Sequence, residues 1–237
     1  MKKLLKVVVP IVLAVALLGC SIWYLFIYDR TFTQDMMLQA ARFFDRHNQV
    51  AAAQMFYGFA YDLARDNDAV AIELANQYKN DGNFSKAEYT LHKAIQDGGG
   101  ANIYVALSKT YVEQGKLYDA LNLIDTAPES IQNQLKDRRP GKPESNRLDG
   151  TLSDYGPISI IADGKLYVNT QGQTPSVLTD AYTGPITLKA GKNELRAIVV
   201  ADNGLANQAV FTYTVHGVIE PVVFADKAFE EAIRRRH

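Results

Sequence analysis

The stretch Leu107–Ala127, "LSKTYVEQGKLYDALNLIDTA", is the third of three segments that carry the same residue types at the same positions. The other two are Ala40–Ala60, "AARFFDRHNQVAAAQMFYGFA", and Leu74–Ala94, "LANQYKNDGNFSKAEYTLHKA", so the segments start 34 and then 33 residues apart. A period of this length is typical of repeat proteins in which each unit stacks on its neighbour. Residues 34–128 are therefore predicted to form three copies of one structural unit.

Each unit is predicted to be a helical hairpin, because its apolar residues recur at helical spacing on both sides of a turn. A residue that tolerates the left-handed backbone conformation ends the first helix, and a small residue lets the second helix approach closely. The shared positions are the aromatic residues Phe44, Tyr78 and Tyr111, the turn residues Asn48, Gly82 and Gly115, the alanines Ala53, Ala87 and Ala120, and the closing alanines Ala60, Ala94 and Ala127.

This pattern resembles the tetratricopeptide repeat, although Asn48 replaces the usual glycine and no tryptophan opens the units. An unrelated bundle of helical hairpins is the alternative. The resemblance implies an α-α superhelix whose concave groove, lined by the first helix of each unit, holds a peptide or partner helix. Groove positions follow from it: Leu38, Arg42, Asp45 and Arg46 in the first unit, Ile72, Asn76, Lys79 and Asn80 in the second, and Val105, Lys109, Val112 and Glu113 in the third.

Some members of that family clamp a C-terminal carboxylate with basic side chains and asparagines. By that resemblance Asn76 and Lys109 take such roles here, but Leu38 stands where a lysine is wanted. A solvated helix face explains these polar residues equally well.

An apolar segment precedes the repeats. Residues 7–28 carry no charge and, as a helix, are about 33 Å long, which is enough to span a membrane. Lys2, Lys3 and Lys6 precede the segment, so residues 1–6 are predicted to stay in the cytoplasm and the later domains to lie outside it. Two alternatives remain: a bacterial lipoprotein cut at "LLGC" and lipidated on Cys20, because this stretch resembles a lipobox, or a removed signal peptide.

The helical period ends near Pro128, and residues 129–147, with "KDRRPGKPESN", are predicted to be a linker with a polar capping helix over Glu129–Asp137.

After the linker, apolar residues alternate with a period of two, which predicts short strands and a small antiparallel sandwich in residues 148–216. Tyr182–Val215 resembles the fibronectin type III-like module appended to chitobiases and β-hexosaminidases, which implies an accessory role. Residues 217–237 are predicted to contain a short amphipathic helix after Asp226.

The sequence contains no recognisable catalytic motif or phosphate loop, and its single cysteine excludes an intrachain disulfide. A net charge of -1 argues against nucleic acid as a partner. Asp163, Asp180 and Asp202 are better explained as turn residues than as a calcium site. No cofactor is predicted, and an enzymatic function is retained only for a chain that is part of a longer protein.

These observations predict a multidomain chain with a transmembrane helix, a helical-repeat domain and a β-sandwich, anchored once in a bacterial cell membrane. We expect it to be a non-catalytic scaffold that binds a protein or peptide partner in the cell envelope. The alternative is a glycan-binding protein whose β domain stacks sugars on Tyr155, Tyr167 and Tyr182, with the repeats as a stalk.

Overall fold

A computed structural model of the chain describes residues 15–24, 29–153 and 156–216. Its helical part consists of consecutive antiparallel hairpins, in which each helix packs against the next along the chain. The predicted repeats therefore correspond to three helix pairs. The helices are α1 (Arg30–Arg46), α2 (Val50–Leu63), α3 (Asp68–Asn80), α4 (Phe84–Gln96), α5 (Ala101–Glu113), α6 (Leu117–Asp125) and α7 (Glu129–Leu135).

The turn inside each hairpin has the same backbone geometry in all three units. Asn48, Gly82 and Gly115 have φ angles of 55°, 73° and 76°, in the left-handed region that the aligned sequences predict. In each case the next residue donates its N–H to the carbonyl of the aligned aromatic residue, for example Asn83 N to Tyr78 O at 2.8 Å. This bond satisfies a carbonyl at the helix end and sets the start of the second helix.

Helix starts and close packing also follow from local residue types. Asp29 and Asn83 cap α1 and α4 by accepting hydrogen bonds from backbone N–H groups in the first turn. The alanines that follow the turns are fully buried at 0% exposure in all three units, so the two helices of each hairpin touch along this row: Ala53, Ala87 and Ala120. The predicted small-residue position is confirmed by this packing.

The segment after the third hairpin packs as a continuation of the solenoid. Helix α7 and a 3-10 turn at Lys136–Arg138 cover its end, with Ile131 and Leu135 buried against the α5–α6 hairpin. Arg139 then pairs with Asp125 at 2.8 Å and donates to the carbonyl of Ala206 at 2.7 Å. The segment predicted as a linker thus makes specific contacts with both parts of the molecule.

The β region contains two sheets around one core. A four-stranded sheet has the order β2-β6-β5-β4, and a pair of very short strands, β1 and β3, forms the second sheet. Because β2 runs parallel to β6, the prediction of an entirely antiparallel arrangement is wrong at this edge. The strands are β1 (Glu144–Ser145), β2 (Gly150–Leu152), β3 (Ile160–Ile161), β4 (Lys165–Asn169), β5 (Gly191–Val200) and β6 (Ala206–Val215).

Strand β5 is buried on both faces at its C-terminal end. Leu195 and Ala197 point into the β core, whereas Ile198 and Val200 pack against Leu117 of α6 and its neighbours. Alternation along the strand predicts two faces, but only the tertiary contact explains why the second face is also apolar. The last repeat and the sheet consequently share a hydrophobic core.

The N-terminal segment is described only in part. Residues 15–24 are helical with exposed side chains, Cys20 among them, while residues 7–14 and 25–28 of the predicted span lie outside the described residues. Within the described ranges, no helix combines the length and the apolar character that membrane crossing requires. The helix predicted in the C-terminal tail, residues 217–237, also falls outside them.

Candidate functional site

The first helices of the three units, α1, α3 and α5, are joined in series by charged side chains. Arg42 of α1 contacts Glu73 of α3 at 3.0 Å, and Lys79 of α3 contacts Glu113 of α5 at 3.0 Å. The ion pair with Glu73 is the main reason why the pKa of Arg42 is raised above its usual value. Three of the predicted ligand contacts therefore hold neighbouring units together within the free protein.

Other predicted groove residues are exposed and available. Asn76 and Lys109 occupy equivalent positions of α3 and α5, and neither forms a hydrogen bond or ion pair within the described part of the chain. Asn80 is also exposed, whereas Arg46 is exposed but donates to the carbonyl of Arg42 at 3.2 Å. The available polar groups lie mainly on the second and third units.

The apolar groove positions differ in depth. Ile72, Val105 and Val112 are half-buried, so each contributes both to the core and to the groove surface. Leu38, in contrast, is only 8% exposed and belongs to the core cluster of the first two units. The prediction that Leu38 lines the groove is therefore wrong, because its side chain is buried in the same core cluster as Ala41 and Tyr57.

The β region borders the groove at the third unit. The β5–β6 turn packs directly on α5, where Ser108 donates a buried hydrogen bond of 2.8 Å to the carbonyl of Gly204. A cavity of about 350 Å³ remains between α5 and the sheet, and its lining includes Lys109, Glu113, Lys165, Tyr167 and Asp202. The last three were not predicted as groove residues, since no periodicity relates them to the repeats.

A polar network supports the turn at the back of the third unit. Glu88 of α4 accepts hydrogen bonds from Lys116 and Gln114, and His92 shares a hydrogen bond of 2.7 Å with the hydroxyl of Tyr111. Burial opposes the charge on Glu88, but these hydrogen bonds and the positive charge of Lys116 outweigh it, so its pKa is lowered. This network fixes the α5–α6 turn relative to α4.

Two of the three residues proposed for sugar stacking, Tyr167 and Tyr182, are half-buried. Tyr182 packs against the β core and accepts a hydrogen bond from Ile160 N at 3.1 Å, and Tyr167 packs at the junction with α6. Tyr155 lies outside the described residues.

Asp180 accepts a hydrogen bond from Ser176 N at 2.8 Å, as expected of an aspartate in a turn. No cluster of acidic, histidine or cysteine side chains suited to a metal ion occurs in the described ranges.

No family model and no curated protein matches the chain. Among solved structures, the N-terminal domain of stress-induced protein-1 from C. elegans is 12% identical with a TM-score of 0.36, over 46% of this chain and 96% of that chain. The Arabidopsis OM64 TPR domain is 16% identical with a TM-score of 0.35, over 46% of this chain and 98% of that chain. YrrB, described as a TPR protein with an unusual peptide-binding site, is 20% identical with a TM-score of 0.33, over 43% of this chain and 53% of that chain. These TM-scores are low, so the helical-repeat fold rests on the hairpins and their shared turn geometry.

Proposed function

We propose that the protein is a non-catalytic scaffold that binds an extended segment of a partner protein in the groove of its helical repeats. The observation that carries this proposal is the row formed by Asn76 and Lys109, which are exposed on neighbouring first helices and have no polar partner among the described residues. Half-buried Ile72, Val105 and Val112 supply apolar surface beside that row. Amide and ammonium groups next to apolar surface suit a peptide backbone or an acidic side chain.

The second part of the proposal is that the scaffold is anchored in a bacterial cell membrane, with its repeats outside the cytoplasm. Its support is the run of 22 uncharged residues after Lys2, Lys3 and Lys6. Asp29, directly after that run, already caps α1. The first repeat would therefore begin at the membrane surface, and its partner would belong to the cell envelope.

The groove is tested by crosslinking the full-length protein in intact cells and identifying the proteins recovered with it. We expect the double variant Asn76→Ala/Lys109→Glu to lose a partner that the wild type recovers. The matched control is Asn122→Ala/Lys136→Glu, which makes the same chemical changes at exposed positions of α6 and the 3-10 turn. Equal recovery by wild type and both variants would contradict binding through the groove.

The anchor is tested independently by mass spectrometry of the intact protein. A spanning helix predicts that Met1–Gly19 is retained, and that alkaline extraction leaves the protein with the membrane. A mature chain that begins at a lipidated Cys20 would replace the span by a lipid anchor. Loss of residues 1–28 would contradict both forms of anchoring.

A further inference from the structure

The first hairpin leaves a large apolar surface exposed. Its five side chains are each between 41% and 51% exposed. We call this surface the N-terminal stacking face; it consists of Phe32, Met36 and Phe43 of α1 and Met55 and Phe59 of α2. A shallow apolar recess of about 340 Å³, lined by Met37, Phe56, Phe59, Asp62 and Leu63, lies beside it.

The repeat itself shows what kind of surface this is. Met36 aligns with Val70 and Ile103 in the later units, and these residues are 2% and 0% exposed because the preceding hairpin covers them. Phe43 aligns with Gln77 and Thr110, which are 7% and 0% exposed. Met36 and Phe43 of α1 thus correspond to positions that are covered in the later units, whereas Met55 of α2 aligns with Tyr89, which is 69% exposed. Within the described residues, no hairpin covers Met36 and Phe43.

We propose that this face is covered by the same face of a second copy of the protein, in a symmetric dimer. In the later units a hairpin covers the positions of Met36 and Phe43, and the second copy provides a hairpin with apolar side chains and a recess to receive them. Half-exposed Phe and Met side chains leave on the order of 500 Å² of apolar surface per copy. With a polar rim, this approaches the roughly 800 Å² per partner of a standard specific interface.

The charges beside the face favour a twofold arrangement. Asp35 and Arg46 of α1 are exposed, lie 11 residues apart, which is about three helical turns, and form no ion pair in the described part of the chain. When two α1 helices pack antiparallel about a twofold axis, Asp35 of one copy lies beside Arg46 of the other. The arrangement therefore forms two opposite-charge contacts at the rim.

The proposal is tested by the molar mass of the full-length protein in detergent micelles, measured by light scattering and by sedimentation equilibrium. We expect a dimer for the wild type and at least a tenfold weaker association for Phe43→Glu. Tyr89→Glu is the control, because Tyr89 is 69% exposed on α4, away from the face. Circular dichroism checks that each variant keeps its helices.

A charge exchange gives the sharper test. Asp35→Arg and Arg46→Glu are each expected to weaken the dimer, and the double variant Asp35→Arg/Arg46→Glu is expected to restore it, because both contacts re-form with exchanged signs. A monomeric wild type, a dimer that Phe43→Glu leaves unchanged, or a double variant weaker than both single variants would overturn the proposal. Lipid-dependent quenching of a fluorophore at Gln39, without dimerisation, would instead assign the face to the membrane surface.

Discussion

The substitution Gly204→Ala tests the contact between the β region and the last repeat. Gly204 has a φ of +86°, and a Cβ atom at this position would lie 2.5 Å from the Cα and Cβ atoms of Lys109. Alanine in the left-handed conformation costs about 1–2 kcal/mol. The clash with the backbone of α5 adds about 1–3 kcal/mol of destabilisation, because a helix that is packed on both sides cannot move away from the added methyl group. Gly204→Ala is therefore expected to lower the free energy of unfolding by about 2–5 kcal/mol.

The matched control is Gly82→Ala. Gly82 has a φ of +73°, but nothing lies within 4 Å of its added Cβ. This variant is therefore destabilised only by the strain of the left-handed backbone conformation. Urea denaturation of both full-length variants, followed by circular dichroism, measures the difference. Hydrogen exchange should also show faster exchange of the α5 amides in Gly204→Ala alone. Equal destabilisation by the two substitutions would refute the close contact between the β5–β6 turn and α5.

Three further predictions concern single sites in the repeats. Asn48→Ala is expected to cost about 1 kcal/mol in urea denaturation and Asn48→Gly to cost nothing, because Asn48 has a φ of 55°. Since the pKa of Glu88 is lowered below its ordinary value of 4.5, its pairing with Lys116 stabilises the fold above that pH, and this stabilisation is lost as the pH falls further. In Glu88→Gln, the free energy of unfolding should thus depend less on pH in the acid range. An unchanged pH dependence would contradict the pairing. Burial and the carboxylate of Asp97 raise the pKa of Tyr61 to about 12, so Tyr61→Phe should remove one late-titrating phenol from the ultraviolet titration curve.

Local features of the repeats were predictable from the sequence. The turn positions Asn48, Gly82 and Gly115 have the expected backbone conformation, and Ala53 is buried as predicted. These features are predictable because helix ends and close helix contacts depend on residues a few positions apart, and three aligned copies reinforce each signal.

The contacts between distant segments were not predictable in the same way. Ser108 is a single serine in a helix pattern, yet it makes a buried hydrogen bond to the β region. Leu38 has the spacing of a groove residue, but it is buried in the core cluster of the first two units. One missed contact did leave a signal, since Lys79 and Glu113 carry opposite charges 34 residues apart, one residue more than the spacing of the second and third units.

The most direct test of the proposed groove is site-specific photocrosslinking in cells. A photoreactive amino acid at position 76, on the exposed face of α3, is expected to capture a partner protein. The same amino acid at position 122, on the outer helix α6, is expected to capture none. A product from position 122 but not from position 76 would contradict the account that the groove is the binding surface.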